Sequence, residues 1–165
     1  MRTLKGTYLL VVEVPEYLEV PVGTLGVVSL EAGEYVYVGS AMGSGATDIE
    51  HRVSRHLRTR KTLFWHIDYL LSSTGAPRSV VVIESGSPIE CMVCKMLASS
   101  TSFEYGPRGF GSSDCSSGCR AHLLRHTGKG ELMVALITAL EGLHIRRTNM
   151  TAHDDSWLVF RAVPT

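Results

Sequence analysis

Three strand-like segments fall within the first 39 residues, and they restrict the fold more than anything later in the chain. TYLLVVEV (7–14) is rich in β-branched and aliphatic residues and is closed by Pro15. Such side chains fit a pleated surface, and proline lacks the N–H that a sheet ladder needs. TLGVVSLEAG (24–33) is a second candidate, ending at Gly33, and EYVYVG (34–39) is a third, short and aromatic. Strands so close in sequence predict an antiparallel meander, because short turns can join antiparallel neighbours.

Helical patterns follow. SAMGSGATD (40–48) is a small-residue loop, and Asp48 is placed to cap the helix after it by accepting an orphan backbone N–H. In that helix Ile49, Val53 and Leu57 recur every four residues and form the buried stripe, with Arg52, Arg55 and His56 beside it. LFWHIDYLL (63–71) predicts a second helix with Trp65, Tyr69 and Leu70 or Leu71 facing inward, stopped by Gly75 and Pro77. SVVVIE (79–84) reads as a buried strand. Ser87-Pro88-Ile89-Glu90 opens a helix running to about Ser99, with Pro88 at its first position. The segment 105–119 is a loop dense in glycine and serine, 121–127 a strand, 131–142 an amphipathic helix ended by Gly142, and 156–163 a terminal strand.

The expected class is therefore α+β, a small antiparallel sheet flanked by helices with a helix–strand extension at the C-terminal end. A chain of 165 residues suits one domain with a real core. Residues 1–127 read as the main unit. Residues 128–165 read as an extension packed on it, since about 40 residues rarely fold alone.

Composition narrows the functional classes. Hydrophobic residues make up 44% and charged residues 19%, which excludes a disordered chain. Sixteen basic residues balance sixteen acidic ones, so no overall positive field marks a nucleic-acid binder. The basic charge is local: HRVSRHLRTRK (51–61) contains no acid, and Arg55, Arg58, Arg60 and Lys61 are candidate phosphate contacts. The apolar run 8–12 is too short for a signal peptide, and nothing approaches the roughly 18 apolar residues that span a bilayer. Four cysteines are too few for a dense secreted framework. The expectation is a reduced, cytoplasmic protein with no membrane attachment and an oligomeric state that cannot be read.

Gly6-Thr7-Tyr8, Tyr37-Val38-Gly39, Arg52-Val53-Ser54-Arg55-His56-Leu57 and a later helical Glu90 carry a resemblance. In this order they resemble the motifs of the GIY-YIG nuclease superfamily. The resemblance covers about residues 4–126. It is nearest to a mostly archaeal branch with the strings YVYVGSA, FWHIDYLL and GFGSSDC. It implies a metal-dependent cut of a phosphodiester, with DNA or another nucleic acid as partner and repair as the setting. Tyr8 would help generate the attacking water, Tyr37 would line the same face, and Arg52 would stabilise charge on the phosphate. Glu90 would hold one divalent ion, Mg²⁺ or Mn²⁺, and His56 would be a secondary acid–base or orienting group. The family pattern is usually a tight hairpin, whereas here residues 9–36 separate the two tyrosines.

The residue types suit that chemistry. Phosphate hydrolysis builds negative charge that a fixed guanidinium and a metal can stabilise. Mg²⁺ often takes one carboxylate and keeps several waters. A tyrosine, with a reference pKa of about 10, is a poor base unless its surroundings change that. Tyr8 shares strand parity with Leu10 and Val12, so it can converge with Tyr37 if the register allows.

Each residue also has a plainer reading. The tyrosines can be half-buried strand aromatics, and His56 a structural hydrogen-bonder. Arg55 competes with Arg52, which is preferred because R-x-x-x-H matches the family and puts both side chains on one helix face. Ser87-x-x-Glu90 is also a capping box. His66 and Asp68 read as a local polar contact, and Glu84 as a reserve metal ligand. Cys115-x-x-x-Cys119-x-x-His122 has ligands close enough for zinc, with Cys91 or Cys94 to complete four. The alternatives are buried free thiols, or a Cys115–Cys91 disulfide in an oxidising compartment.

Three functions follow: a divalent-metal-dependent endonuclease, a non-catalytic nucleic-acid-binding module on the same scaffold, and an interaction domain held by a cysteine site. The first expects Tyr8, Tyr37, Arg52 and Glu90 around one open cleft, beside the basic helix and separate from the cysteines.

Overall fold

The computed structural model describes residues 3–147 and 157–162. In chain order the strands and helices are β1 (Gly6–Val14), β2 (Leu18–Pro21), β3 (Val27–Leu30), β4 (Gly33–Ala41), α1 (Ile49–Leu57), α2 (His66–Thr74), β5 (Ser79–Glu84), α3 (Glu90–Ser99), β6 (Phe103–Tyr105), β7 (Leu123–His126), α4 (Leu132–Ala139), β8 (Ile145–Arg147) and β9 (Trp157–Ala162). The protein is α+β. Seven strands form one sheet in the order β6-β7-β4-β1-β5-β9-β8, antiparallel except for β5 with β9.

β1 is central because it can be buried on both faces. Tyr8, Leu10, Val12 and Val14 point to one side, where they meet Ile49 and Val53 of α1 and Ile67 and Leu70 of α2. Leu9 and Val11 point to the other, against Val93, Cys94 and Leu97 of α3 and Leu132 and Leu136 of α4. A strand covered twice needs apolar residues at successive positions rather than alternation, which accounts for the apolar run 8–12. Leu9 and Leu10 are both fully buried, and each such side chain stabilises the fold by about 1.5–3 kcal/mol relative to exposure.

The three N-terminal strand segments do not form a simple meander. β1 pairs directly with β4, Tyr8 opposite Gly39 and Leu10 opposite Tyr37. The segment between them forms a separate two-stranded sheet, β2 with β3, whose Val20, Val28 and Leu30 pack into the α1/α2-side core. The 24–33 candidate is broken, because Gly23–Leu25 makes a 3-10 turn and Gly33 already belongs to β4. A whole hairpin therefore sits between the two tyrosine strands without disturbing their pairing.

Two helix boundaries also move. The helix expected from residue 63 begins at His66, because the Asp68 carboxylate accepts the N–H groups of Phe64 and Trp65 at 2.9 Å and fixes the start there. The helix expected from Ser87 begins at Glu90 and has no side-chain cap. At the C-terminal end α4 gives way to a 3-10 turn at Glu141–Leu143, and β9 joins the main sheet beside β5. Among the described residues no helix is long and apolar enough to cross a membrane.

Candidate functional site

A cleft of about 210 Å³ opens where β1 and β4 meet α1, the start of α3 and the 106–122 loop. Tyr8, Tyr37, Arg52 and Glu90 all line it, together with Trp65, Asp114, Cys115 and His122. Register explains the first pair. Tyr8 lies across from Gly39, and a Cβ at Gly39 would come within 2.5 Å of the Tyr8 ring and hydroxyl. The phenol can therefore cross β4 at this point only because residue 39 has no side chain. Tyr37, two residues along β4, brings its ring centroid to 6.5 Å from that of Tyr8.

The tyrosines form the floor of this cleft and not its rim. Tyr8 is 2% exposed and Tyr37 8%. Burial pushes the Tyr8 phenol up to about 12 against the opposing influence of Arg52, and it pushes Tyr37 well above its ordinary value. Both are protonated at neutral pH. Tyr8 Oη lies 3.0 Å from His56 Nε2.

His56 does not line the cleft; it is wholly buried behind Tyr8. Its Nδ1 faces Asp68 Oδ1 at 3.7 Å, beyond hydrogen-bond length, and has no other partner among the described residues. Burial lowers the His56 pKa, with Asp68 opposing, so the neutral ring is favoured. Asp68 is itself fully buried. Burial alone would raise its pKa, but contacts from His56 and Arg55 and the N–H groups of Phe64 and Trp65 outweigh it and hold the carboxyl well below the usual range. Asp68 is thus more than a local contact, since it joins α1 to α2.

The two candidate arginines separate cleanly. Arg55 is committed to Asp68 through both terminal guanidinium nitrogens, at 2.8 and 2.9 Å, and to the Thr62 carbonyl. Arg52 donates to the Ser40 carbonyl at 3.1 Å, lies 5.1 Å from the centre of the Trp65 ring, and faces the cleft. None of the strip Arg55, Arg58, Arg60 and Lys61 lines the cleft, although Arg55 lies 4.6 Å from the centre of the Trp65 ring, which does. Lys61 donates to the His56 and Arg58 carbonyls at the end of α1, while Arg58 and Arg60 are exposed around a separate hollow with Leu63 and Leu71.

Glu90 does not form the capping box. The residue before the helix is Ile89, no side-chain cap is made, and Glu90 Oε2 is buried with no hydrogen-bond partner among the described residues. An unpartnered buried carboxylate oxygen costs free energy unless a ligand or ion completes it. Glu84 lies away from the cleft, at the end of β5, where Arg161 Nε approaches it at 3.1 Å. His66 accepts the Gly111 N–H at 2.9 Å and so anchors the loop.

The cysteine group is complete and adjoins the same cleft. Cys91, Cys115, Cys119 and His122 place their ligand atoms within 4.8 Å of one another, a Cys₃His set that can hold a metal such as zinc. Cys91 Sγ is 3.3 Å from Cys115 Sγ and 3.7 Å from His122 Nε2. The fourth ligand is therefore Cys91; Cys94 is buried in the α3/α4-side core. All four thiols are free, with no Cys115–Cys91 disulfide. Because Cys115 and His122 line the cleft, the thiol group and the tyrosines are not separate sites. Sequence reasoning missed Trp65 and Asp114 as cleft residues. Asp114, directly before Cys115, had a signal in the metal-ligand spacing around it.

The family model described as "Domain of unknown function DUF123" matches residues 7–145, and the chain belongs to that family. No curated protein and no solved structure matches it.

Proposed function

We propose that this member of the DUF123 family is a GIY-YIG-like endonuclease that hydrolyses phosphodiester bonds in DNA with a divalent cation. One observation carries the reading: Tyr8, Tyr37, Arg52 and the unpartnered carboxylate of Glu90 share one cleft, although they come from four different elements. The pairing of Tyr8 with Gly39 supports it too, because the two motif strands remain neighbours in spite of the inserted hairpin.

Each residue has a definable task. Arg52, held by Ser40 and Trp65, presents a fixed positive charge to a phosphate entering the cleft. Glu90, with Asp114 also lining the cleft, would hold Mg²⁺ or Mn²⁺, which when bound offsets phosphate charge and activates water. The sulfur-rich quartet is a different kind of site, and its soft donors suit Zn²⁺. Tyr8 is too basic as a phenolate to be a standing base at neutral pH. Its hydroxyl instead acts as a relay: it takes a proton from the attacking water while passing its own to neutral His56. The imidazolium so formed is stabilised by ionised Asp68.

The direct test uses single-stranded, flapped and damaged DNA with Mg²⁺ or Mn²⁺. Wild type should incise at least one substrate, and Arg52→Ala should lower kcat/KM by about 10²–10³ while remaining folded, as expected for loss of a transition-state charge partner. Folded protein that cuts none of these substrates with either ion would remove the reading.

The burial of both phenols favours a second reading, a module that binds nucleic acid without cutting it. Such a module would bind DNA with a steep salt dependence, because released counterions drive association. Its binding would survive Glu90→Gln.

A further inference from the structure

We infer that Cys91, Cys115, Cys119 and His122 hold one Zn²⁺ in a closed tetrahedral set, and that this ion positions Glu90 and Asp114 at the cleft. The zinc assignment stands on its own geometry; the positioning role rests on the function proposed above.

Donor identity and spacing carry the first part. Four ligands around zinc, with Zn–S about 2.3 Å and Zn–N about 2.0–2.1 Å, place donor atoms roughly 3.5–3.8 Å apart. The Cys91–His122 distance, 3.7 Å, falls in that range, the Cys91–Cys115 distance, 3.3 Å, lies just below it, and all four donor atoms lie within 4.8 Å of one another. Cys119 is brought round by Gly118, whose φ of +75° is a conformation that glycine adopts without a steric penalty. Three thiolates and an imidazole discriminate strongly against Mg²⁺, which needs oxygen ligands. Four protein ligands leave no open position, the pattern of a structural rather than a catalytic zinc.

The second part follows from where the ligands sit. Cys91 is in the first turn of α3, directly after Glu90, and that turn has no side-chain cap. The other three ligands are in the 106–122 loop, whose segment 106–122 contains no strand or α-helix. One ion would therefore join a helix start that lacks a cap to a loop that lacks regular structure. Besides the contacts made by the quartet itself, including Cys119 Sγ to the Cys91 carbonyl at 3.9 Å, Lys95 Nζ donates to the Ser117 carbonyl at 3.1 Å in an exposed tie between them. Glu90 precedes one zinc ligand in sequence and Asp114 precedes another. Fixing Cys91 and Cys115 on a common ion thus sets the separation of the two carboxylates that face the cleft. Glu90 is free to face it because it is not used in a capping box.

The test begins with metal analysis of the full chain. We expect one zinc per chain. Replacement by Co²⁺ should give the thiolate-to-cobalt charge-transfer and visible bands of a four-coordinate site. His122→Ala should lose the ion, His122→Cys should keep it as a Cys₄ site, and Cys94→Ser, outside the quartet, should keep it as well. Mn²⁺ titration then reads the cleft without any substrate. His122→Ala should bind Mn²⁺ about tenfold or more weakly, the scale on which supporting groups affect a metal site, and His122→Cys should restore binding. If His122→Ala fails to fold, reversible chelation of zinc from the wild type followed by the same titration replaces it. Folded wild type without zinc, or with cobalt bands typical of oxygen ligands, would overturn the zinc site. Unchanged Mn²⁺ affinity after zinc loss would overturn the positioning role. Zinc and Mn²⁺ both bound, with no DNA cut, would leave this inference intact and remove the nuclease reading instead.

Discussion

Tyr8 and His56 show how a surrounding fold changes what a side chain can do. An exposed tyrosine and histidine would titrate near about 10 and 6.5. Here burial raises one to about 12 and lowers the other, so both are neutral across the physiological range. The His56 shift has a sign that can be tested. The folded ring binds a proton less readily than the unfolded one, so stability is fully present above about pH 6.5 and declines as pH falls through that value. Asp68 does not complicate this window, because its carboxyl stays ionised well below its usual range. The urea midpoint should therefore drop between about pH 8 and about pH 5, and His56→Gln should flatten that part of the slope. Equal slopes in the two proteins would show that the buried ring is not the cause.

At the scale of elements, α1 carries two arginines three residues apart with opposite duties. Arg55 ties α1 to the first turn of α2 through Asp68, a carboxylate with no solvent exposure. Removing Arg55 leaves that charge buried without its main partner, a loss of about 3–5 kcal/mol. Arg52 makes one backbone hydrogen bond and one cation–π contact at the cleft, together worth about 1–2 kcal/mol. Arg55→Ala should therefore lower the denaturation midpoint far more than Arg52→Ala. Arg52→Ala should cause the larger loss of DNA cleavage per folded molecule. A reversed order in chemical denaturation would mean that the two roles have been exchanged.

At the scale of the whole molecule, the sheet depends on its last strand. β5 pairs with β1 on one side and β9 on the other, and Trp157 and Val159 of β9 enter the core. The DUF123 match ends at residue 145, before β9. A chain stopped after His144 would expose β5 as an edge, with unpaired N–H and C=O groups open to another chain. It would also forfeit about 1.5–3 kcal/mol for each large apolar side chain no longer buried. Lower thermal stability and concentration-dependent aggregation are expected. A monomer as stable as the full chain, by calorimetry and light scattering, would show that the core closes without β9.

The α+β class, the positions of β1, β5 and α1, the Asp48 cap that accepts the His51 N–H and the inward parity of Tyr8 could all be read along the chain, because apolar runs, periodicity and capping chemistry are local. The sequence also held the three loop ligands Cys115, Cys119 and His122 within one short stretch. Long-range packing settled the rest. It set the β2–β3 hairpin aside so that Tyr8 could cross Gly39, chose Cys91 over Cys94, committed Arg55 to Asp68, left Glu90 outside a capping box, and brought Cys115 and His122 to the tyrosine cleft. These outcomes depend on register and on which helix face meets which loop. Such contacts join residues far apart in the chain, and no local pattern encodes their distance.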